Sequence, residues 1–232
     1  MSGNELTKGG ATAIAECLQE NQTLSFLSLY GNKLGSQGAK KILQSLRRNN
    51  SLTELNLNDC WIGDCAFENL ERELSFNKSL CTLYLGGNFI GRKGARWIAE
   101  VLKSNVSIKK IFLGDNTVDN LGVSYIAEAL KVNRSVTCIS LINNKFGYEG
   151  VNHLLQSANQ NNLLTCMRLT GNKTEFSSAG LEIRAKMETN LKLLEKNNQI
   201  SLVILILRNR KDNFFSQMPK RLTLYLLKFL FF

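Results

Sequence analysis

Apolar residues recur along the chain in one fixed phrase, L-x-x-L-x-L followed by two residues and an Asn. The six copies read Leu24/Leu27/Leu29, Leu52/Leu55/Leu57, Leu80/Leu83/Leu85, Ile108/Ile111/Leu113, Val136/Ile139/Leu141 and Leu164/Met167/Leu169. Apolar and polar positions alternate at the end of each phrase, which is the period of a half-buried strand. The closing position is Asn32, Cys60, Asn88, Asn116, Asn144 and Asn172, at a constant spacing of 28. A period of this size means one supersecondary unit copied along the chain, and stacked copies build a solenoid.

Between the strands the spacing turns helical. From Gly35 to Leu46 the apolar residues fall at i, i+3, i+4 and i+7, one face of a helix. The pattern returns at Gly10/Ala11/Ile14/Ala15/Leu18, Gly94/Ala95/Ile98/Ala99/Leu102, Leu121/Ile126/Ala127/Leu130 and Gly150/Val151/Leu154/Leu155. Each repeat is expected to be one strand followed by one helix, with small Gly and Ala residues letting the helix start lie close to the strand layer. A second column, Asn21, Asn49, Asn77, Asn105, Asn133 and Asn161, follows each helix and predicts a left-handed C-cap. Five of these also spell N-x-S/T. Glycosylation is the lesser reading, because Met-Ser-Gly-Asn-Glu-Leu-Thr-Lys at the start has no apolar secretory stretch.

The consensus L-x-x-L-x-L-x-x-N-x-[IL]-G-x-x-G-A-x-x-[IL]-A-x-x-L-x-x-N-x-[ST] resembles the ribonuclease-inhibitor-like class of leucine-rich repeats over residues 1–175. Ribonuclease inhibitor, the GTPase-activating protein of Ran and the sensor domains of nucleotide-binding immune receptors carry similar repeats. The resemblance implies an α/β fold: a right-handed solenoid bent into a horseshoe arc, with parallel strands on the concave face and helices on the convex one. It also implies a ladder of Asn side chains satisfying backbone groups where each strand turns away, with Cys60 as a tolerated structural departure.

Alternation along the strands predicts the side chains that face a partner: Phe26, Tyr30, Glu54, Asp59, Tyr84, Phe112, Asp115 and Arg168. Aromatic anchors rimmed by charge are what protein interfaces use. The competing reading is that strands favour aromatics for β-propensity alone. Trp61, just past the second strand, is expected to be half-buried rather than an anchor.

Composition narrows the classes. The chain has 232 residues, 44% of them hydrophobic and 21% charged, with a single Pro, which excludes a disordered or collagen-like protein. The one histidine, His153, falls in a predicted convex helix beside Leu154 and Leu155, and no P-loop, G-x-G-x-x-G or H-E-x-x-H is present. No enzyme activity, catalytic residue, metal or cofactor is expected. Six cysteines include no C-x-x-C; Cys138 and Cys166 lie one repeat apart, on adjacent strands. Two such ligands with no nearby His argue against a structural metal, and free thiols in a reducing compartment are expected. The location is therefore expected to be cytoplasmic.

A net charge of +10 would suit an acidic partner. Its distribution argues otherwise, since Arg208, Arg210, Lys211, Lys220, Arg221 and Lys228 against Asp212 place +5 in the last 25 residues. Much of the rest falls on predicted convex helices, and no RNA-binding aromatic motif accompanies it. No nucleic-acid partner is expected.

Both ends depart from the period. Asn4 lies 28 residues before Asn32, so the chain enters mid-repeat, which points to a fragment, a short isoform or a solenoid capped by another chain. The solenoid is expected over 1–199 with a long final helix at about 179–196. An irregular seventh strand at Ile200–Leu207 and a basic apolar tail are expected over 200–232. The tail is too short in apolar run to span a bilayer; capping the solenoid or no role is favoured over contact with an anionic membrane. The function expected is a monomeric, non-catalytic scaffold binding another protein on its concave face. The alternative, by analogy with the Ran activator, is a regulator of a small GTPase.

Overall fold

The computed structural model describes residues 3–173 and 178–209, with the backbone alone for 199–209. The chain divides into two units, Met1–Glu188 and a second beginning at Thr189. In the first, six strands form one parallel sheet in sequence order: β1 (Phe26–Ser28), β2 (Glu54–Asn56), β3 (Thr82–Tyr84), β4 (Lys110–Phe112), β5 (Cys138–Ser140) and β6 (Cys166–Arg168). Each residue pairs with the one a full repeat later, Leu27 with Leu55, Leu55 with Leu83 and so on to Ile139 with Met167. Helices α1 (Lys8–Glu20), α2 (Gly35–Ser45), α3 (Glu71–Phe76), α4 (Arg92–Ser104), α5 (Asn120–Val132) and α6 (Tyr148–Gln160) form the other layer. The phrase residues and the helices' apolar stripes fill the space between in one continuous core, except that Leu24 of the first phrase and Leu121 of α5 are exposed. The arrangement is the expected α/β solenoid, with the strands in one layer and the helices in the other.

The first Asn column works as a relay between repeats. The Asn88 amide donates to the carbonyls of Leu57, Leu85 and Gly86 and accepts from the N–H groups of Cys60 and Ile62. Asn116 and Asn144 repeat the donation one and two units on, each to the carbonyl 31 residues back. Asn172 does the same, and its oxygen accepts from Asn144 N–H. In the remaining slot the Cys60 thiol is fully buried and lies 3.1 Å from the Leu29 carbonyl and 3.3 Å from that of Asn58. Burial pushes this thiol up to about 11, so it stays protonated and can donate. A thiol is the weaker donor and acceptor. Cys60→Asn is therefore expected to raise stability by about 1 kcal/mol, read as a higher urea midpoint at unchanged slope.

The second Asn column corrects the sequence reading. Asn21, Asn77, Asn105, Asn133 and Asn161 end their helices in extended backbone, with φ between −64° and −117°, not left-handed. Their side chains account for the choice of residue. The Asn105 oxygen accepts from the N–H groups of Ser107 and Ile108 while its amide donates to Leu74 carbonyl, 31 residues back, at 2.7 Å. Asn49, Asn77, Asn133 and Asn161 make the same backward bond at 2.7–2.8 Å. This is a second ladder, joining the end of each helix to the end of the preceding one. The amides of Asn49, Asn77, Asn105 and Asn133 are thus buried and engaged, which argues against a glycan there.

The third repeat breaks the one-helix rule. Where other units have Gly-Ala or Gly-Val at the helix start, this one has Ala66-Phe67, and the segment forms a 3-10 turn (Asp64–Ala66) before the six-residue α3. The glycines explain why. A Cβ on Gly38 would sit 2.8 Å from Ala11 Cβ, and one on Gly122 would meet Val118 at 2.9 Å and Ala95 and Arg92 Cα at 3.3 Å. So the small residues admit the preceding helix and not, as expected, the strand layer. With Ala66 in the slot and the bulky Phe67 beside it, that approach is blocked and the helix restarts later.

The seventh strand is also overturned. Ile200–Leu207 lies in α7 (Ser178–Asn209), which runs unbroken past the expected end near residue 196. A short apolar run is ambiguous between strand and helix, and no Gly or Pro from residue 181 onward stops the helix before this run. Within the first unit α7 buries Ala179, Ile183 and Met187 at i, i+4 and i+8 against the core, and Lys186 bonds Asn162. Residues 189–209 of the second unit continue as helix. The basic tail expected at 210–232 lies outside the described residues.

Candidate functional site on the strand face

Because register is exact repeat to repeat, outward-facing strand residues line up in two rows. The first row is Phe26, Glu54, Thr82, Lys110, Cys138 and Cys166; the second is Ser28, Asn56, Tyr84, Phe112, Ser140 and Arg168. Tyr84 and Phe112 are neighbours in the second row, and their rings stack at 4.7 Å between centroids with planes only 8° apart. The Glu54 carboxylate lies near the Tyr84 hydroxyl; partial burial and that negative charge push its ionisation upward. Phe26 stands 52% exposed at the Glu54 end, and Lys110 and Arg168 are exposed at the other. The face thus carries an aromatic platform with acid on one side and base on the other. Thr82 and Ser140, although they stand in these rows, are buried.

A sequence model of the family described as "Leucine Rich repeat" matches residues 20–43 and 48–64. A structure titled "Leiomodin-1 Actin-Binding Site 2 (ABS2)" is similar at TM-score 0.61 and 18% identity, covering 73% of this chain and 96% of that one. The tropomodulin C-terminal domain from Caenorhabditis elegans is similar at TM-score 0.58 and 11% identity, covering 82% and 98%. The chain has the leucine-rich repeat fold. A search of curated proteins finds no match to it.

Within this leucine-rich repeat fold the eight residues picked from sequence separate into two groups. Phe26, Glu54, Tyr84, Phe112 and Arg168 stand on the strands. Tyr30, Asp59 and Asp115 lie beyond the strand ends. Asp59 and Asp115 have backbone φ of 53° and 54°, and they belong to a column of left-handed positions with Gly31, Gly87, Asn143 and Gly171, one per repeat. Asp and Asn tolerate that conformation better than other side-chain-bearing residues. Their identity therefore has a backbone reason, and Asp115 also accepts a 2.7 Å bond from the Asn143 amide. At Gly87 the same conformation meets a neighbour: a Cβ would lie 1.8 Å from the Asp59 carboxylate.

Two features of the repeat surface differ from or add to the sequence reading. Trp61, expected to be half-buried, is instead 58% exposed, with Lys33 Nζ 5.8 Å from its ring, and its φ of 61° turns it away from the core. Lys110 shares a row with Glu54, a juxtaposition signalled by the period itself, since Glu54, Thr82 and Lys110 are successive equivalents. His153 lies in α6, in the helical layer, and so shares no face with these groups. Among the described residues no helix is long and apolar enough to cross a membrane.

Proposed function

We propose that this chain is a non-catalytic scaffold that holds another protein on its concave strand face. The observation that supports this most is the Tyr84–Phe112 stack, with Glu54 beside it and exposed Phe26, Lys110 and Arg168 around it. A flat aromatic platform held in place before binding loses little side-chain entropy on association. Rim charges of both signs add orientation and on-rate more than affinity. The described cysteines are all free thiols, which fits the proposed cytoplasmic setting.

Phe26→Ala/Tyr84→Ala/Phe112→Ala is expected to weaken the captured partner's affinity about 100-fold or more while leaving the circular-dichroism spectrum unchanged. Undiminished affinity in a folded triple variant would remove the strand face from the account. Actin is the first defined protein to try, since one structure of this shape is titled as an actin-binding site.

A further inference from the structure

Cys138 and Cys166 are direct register partners on the neighbouring strands β5 and β6, and both thiols are partly exposed on the strand face. Adjacent strands run about 4.8 Å apart, within the Cα separation that a disulfide spans. The charged groups facing the pair among the described residues are both cationic: Lys110, the register partner of Cys138 on β4, and Arg168, two residues beyond Cys166. We propose that Cys138 and Cys166 form a peroxide-responsive dithiol, with Cys166 as the attacking thiolate and Cys138 as the resolving thiol.

The electrostatics agree with that division of labour. The Cys138 thiol beside it, with the Arg168 and Lys110 cations nearby, outweighs partial burial and holds Cys166 down at about 6. The neighbouring Cys166 sulfur, together with burial, pushes Cys138 upward. In the first step the Cys166 thiolate attacks one oxygen of hydrogen peroxide; the O–O bond breaks, hydroxide leaves, and Cys166 becomes a sulfenic acid. The Cys138 sulfur then attacks the Cys166 sulfur; the S–O bond breaks, and the hydroxyl leaves as water with the Cys138 proton. Both thiols are oxidised by one electron each and one peroxide is reduced. This chemistry is independent of whether the face holds a partner.

The test uses the full chain, limited iodoacetamide and peptide mass spectrometry. At about pH 6.5 a thiol of this acidity has far more thiolate than an ordinary one but a less nucleophilic sulfur, for a net gain of about fivefold. Cys166 is therefore expected to label about fivefold faster than Cys17 and Cys65, although those two are the exposed cysteines. Peroxide is expected to yield a Cys138–Cys166 cross-linked peptide, two hydrogens lighter and reversed by dithiothreitol. Cys138→Ser is expected to stop at the sulfenic acid, trapped on Cys166 by dimedone. Faster labelling of Cys17 or Cys65 in the wild-type chain, or a peroxide cross-link absent or formed between other cysteines, overturns the proposal without need of any variant.

Discussion

Asn88→Ala is expected to destabilise the solenoid by about 4 kcal/mol, among the largest effects of any single polar substitution in the chain. The substitution strands two buried donors, Cys60 N–H and Ile62 N–H, and removes the amide donor of the Leu57 carbonyl, while the carbonyls of Leu85 and Gly86 keep Asn116 and Asp59 N–H. Each buried donor left without an acceptor costs about 1–3 kcal/mol, and the loss of the Leu57 carbonyl's donor adds to that. In a body of this size the melting temperature should fall by about 10 °C. Asn21→Ala supplies the control. Asn21 begins its column, is exposed, and bonds only locally to Thr23 and Leu24, so its loss should cost under about 1 kcal/mol. Equal losses for the two variants would show that helix or turn propensity, not the inter-repeat relay, sets the cost.

Gly122→Val is expected to cost about 3 kcal/mol by overpacking. Its Cβ would meet Val118 Cγ1 at 2.9 Å and Ala95 Cβ and Arg92 Cα at 3.3 Å, and the last two belong to the facing helix α4. Val118 is fully buried, so its side chain has little room to retreat, and Arg92 Cα is backbone. Helices α4 and α5 must therefore part. Urea melts of Gly122→Val beside Gly9→Val measure this, because nothing lies within 4 Å of a Cβ at Gly9. A Gly9→Val loss as large as that at Gly122 would contradict close helix approach as the reason for the glycine column.

The strands, their order and their register were legible because a fixed period leaves no freedom: Leu55 must lie beside Leu83 once both occupy the same slot. The Tyr84–Phe112 stack was implicit in the same arithmetic, since the two residues are one period apart, yet it shows only when strands are read across and not along. The left-handed column was hidden for a different reason. Gly31, Asp59, Gly87, Asp115, Asn143 and Gly171 share a backbone need, not a chemical likeness, so Asp59 and Asp115 read as charge when their conformation is what the turn requires. The third helix departs from the one-helix expectation because Ala66 and Phe67 stand where the other repeats have a glycine followed by a small residue. At the C-terminal end the period stops, and with it the constraint that told strand from helix at Ile200–Leu207.

The claim that the strand face carries the partner is tested most directly by photocrosslinking. A benzophenone side chain placed at Tyr84 or Phe112, and in separate chains at Lys93 or Glu128 on the helical layer, reports which surface lies against a captured protein. The account predicts a covalent adduct from Tyr84 and Phe112 and none from Lys93 or Glu128. Adducts from the helix positions with none from the strands would contradict it.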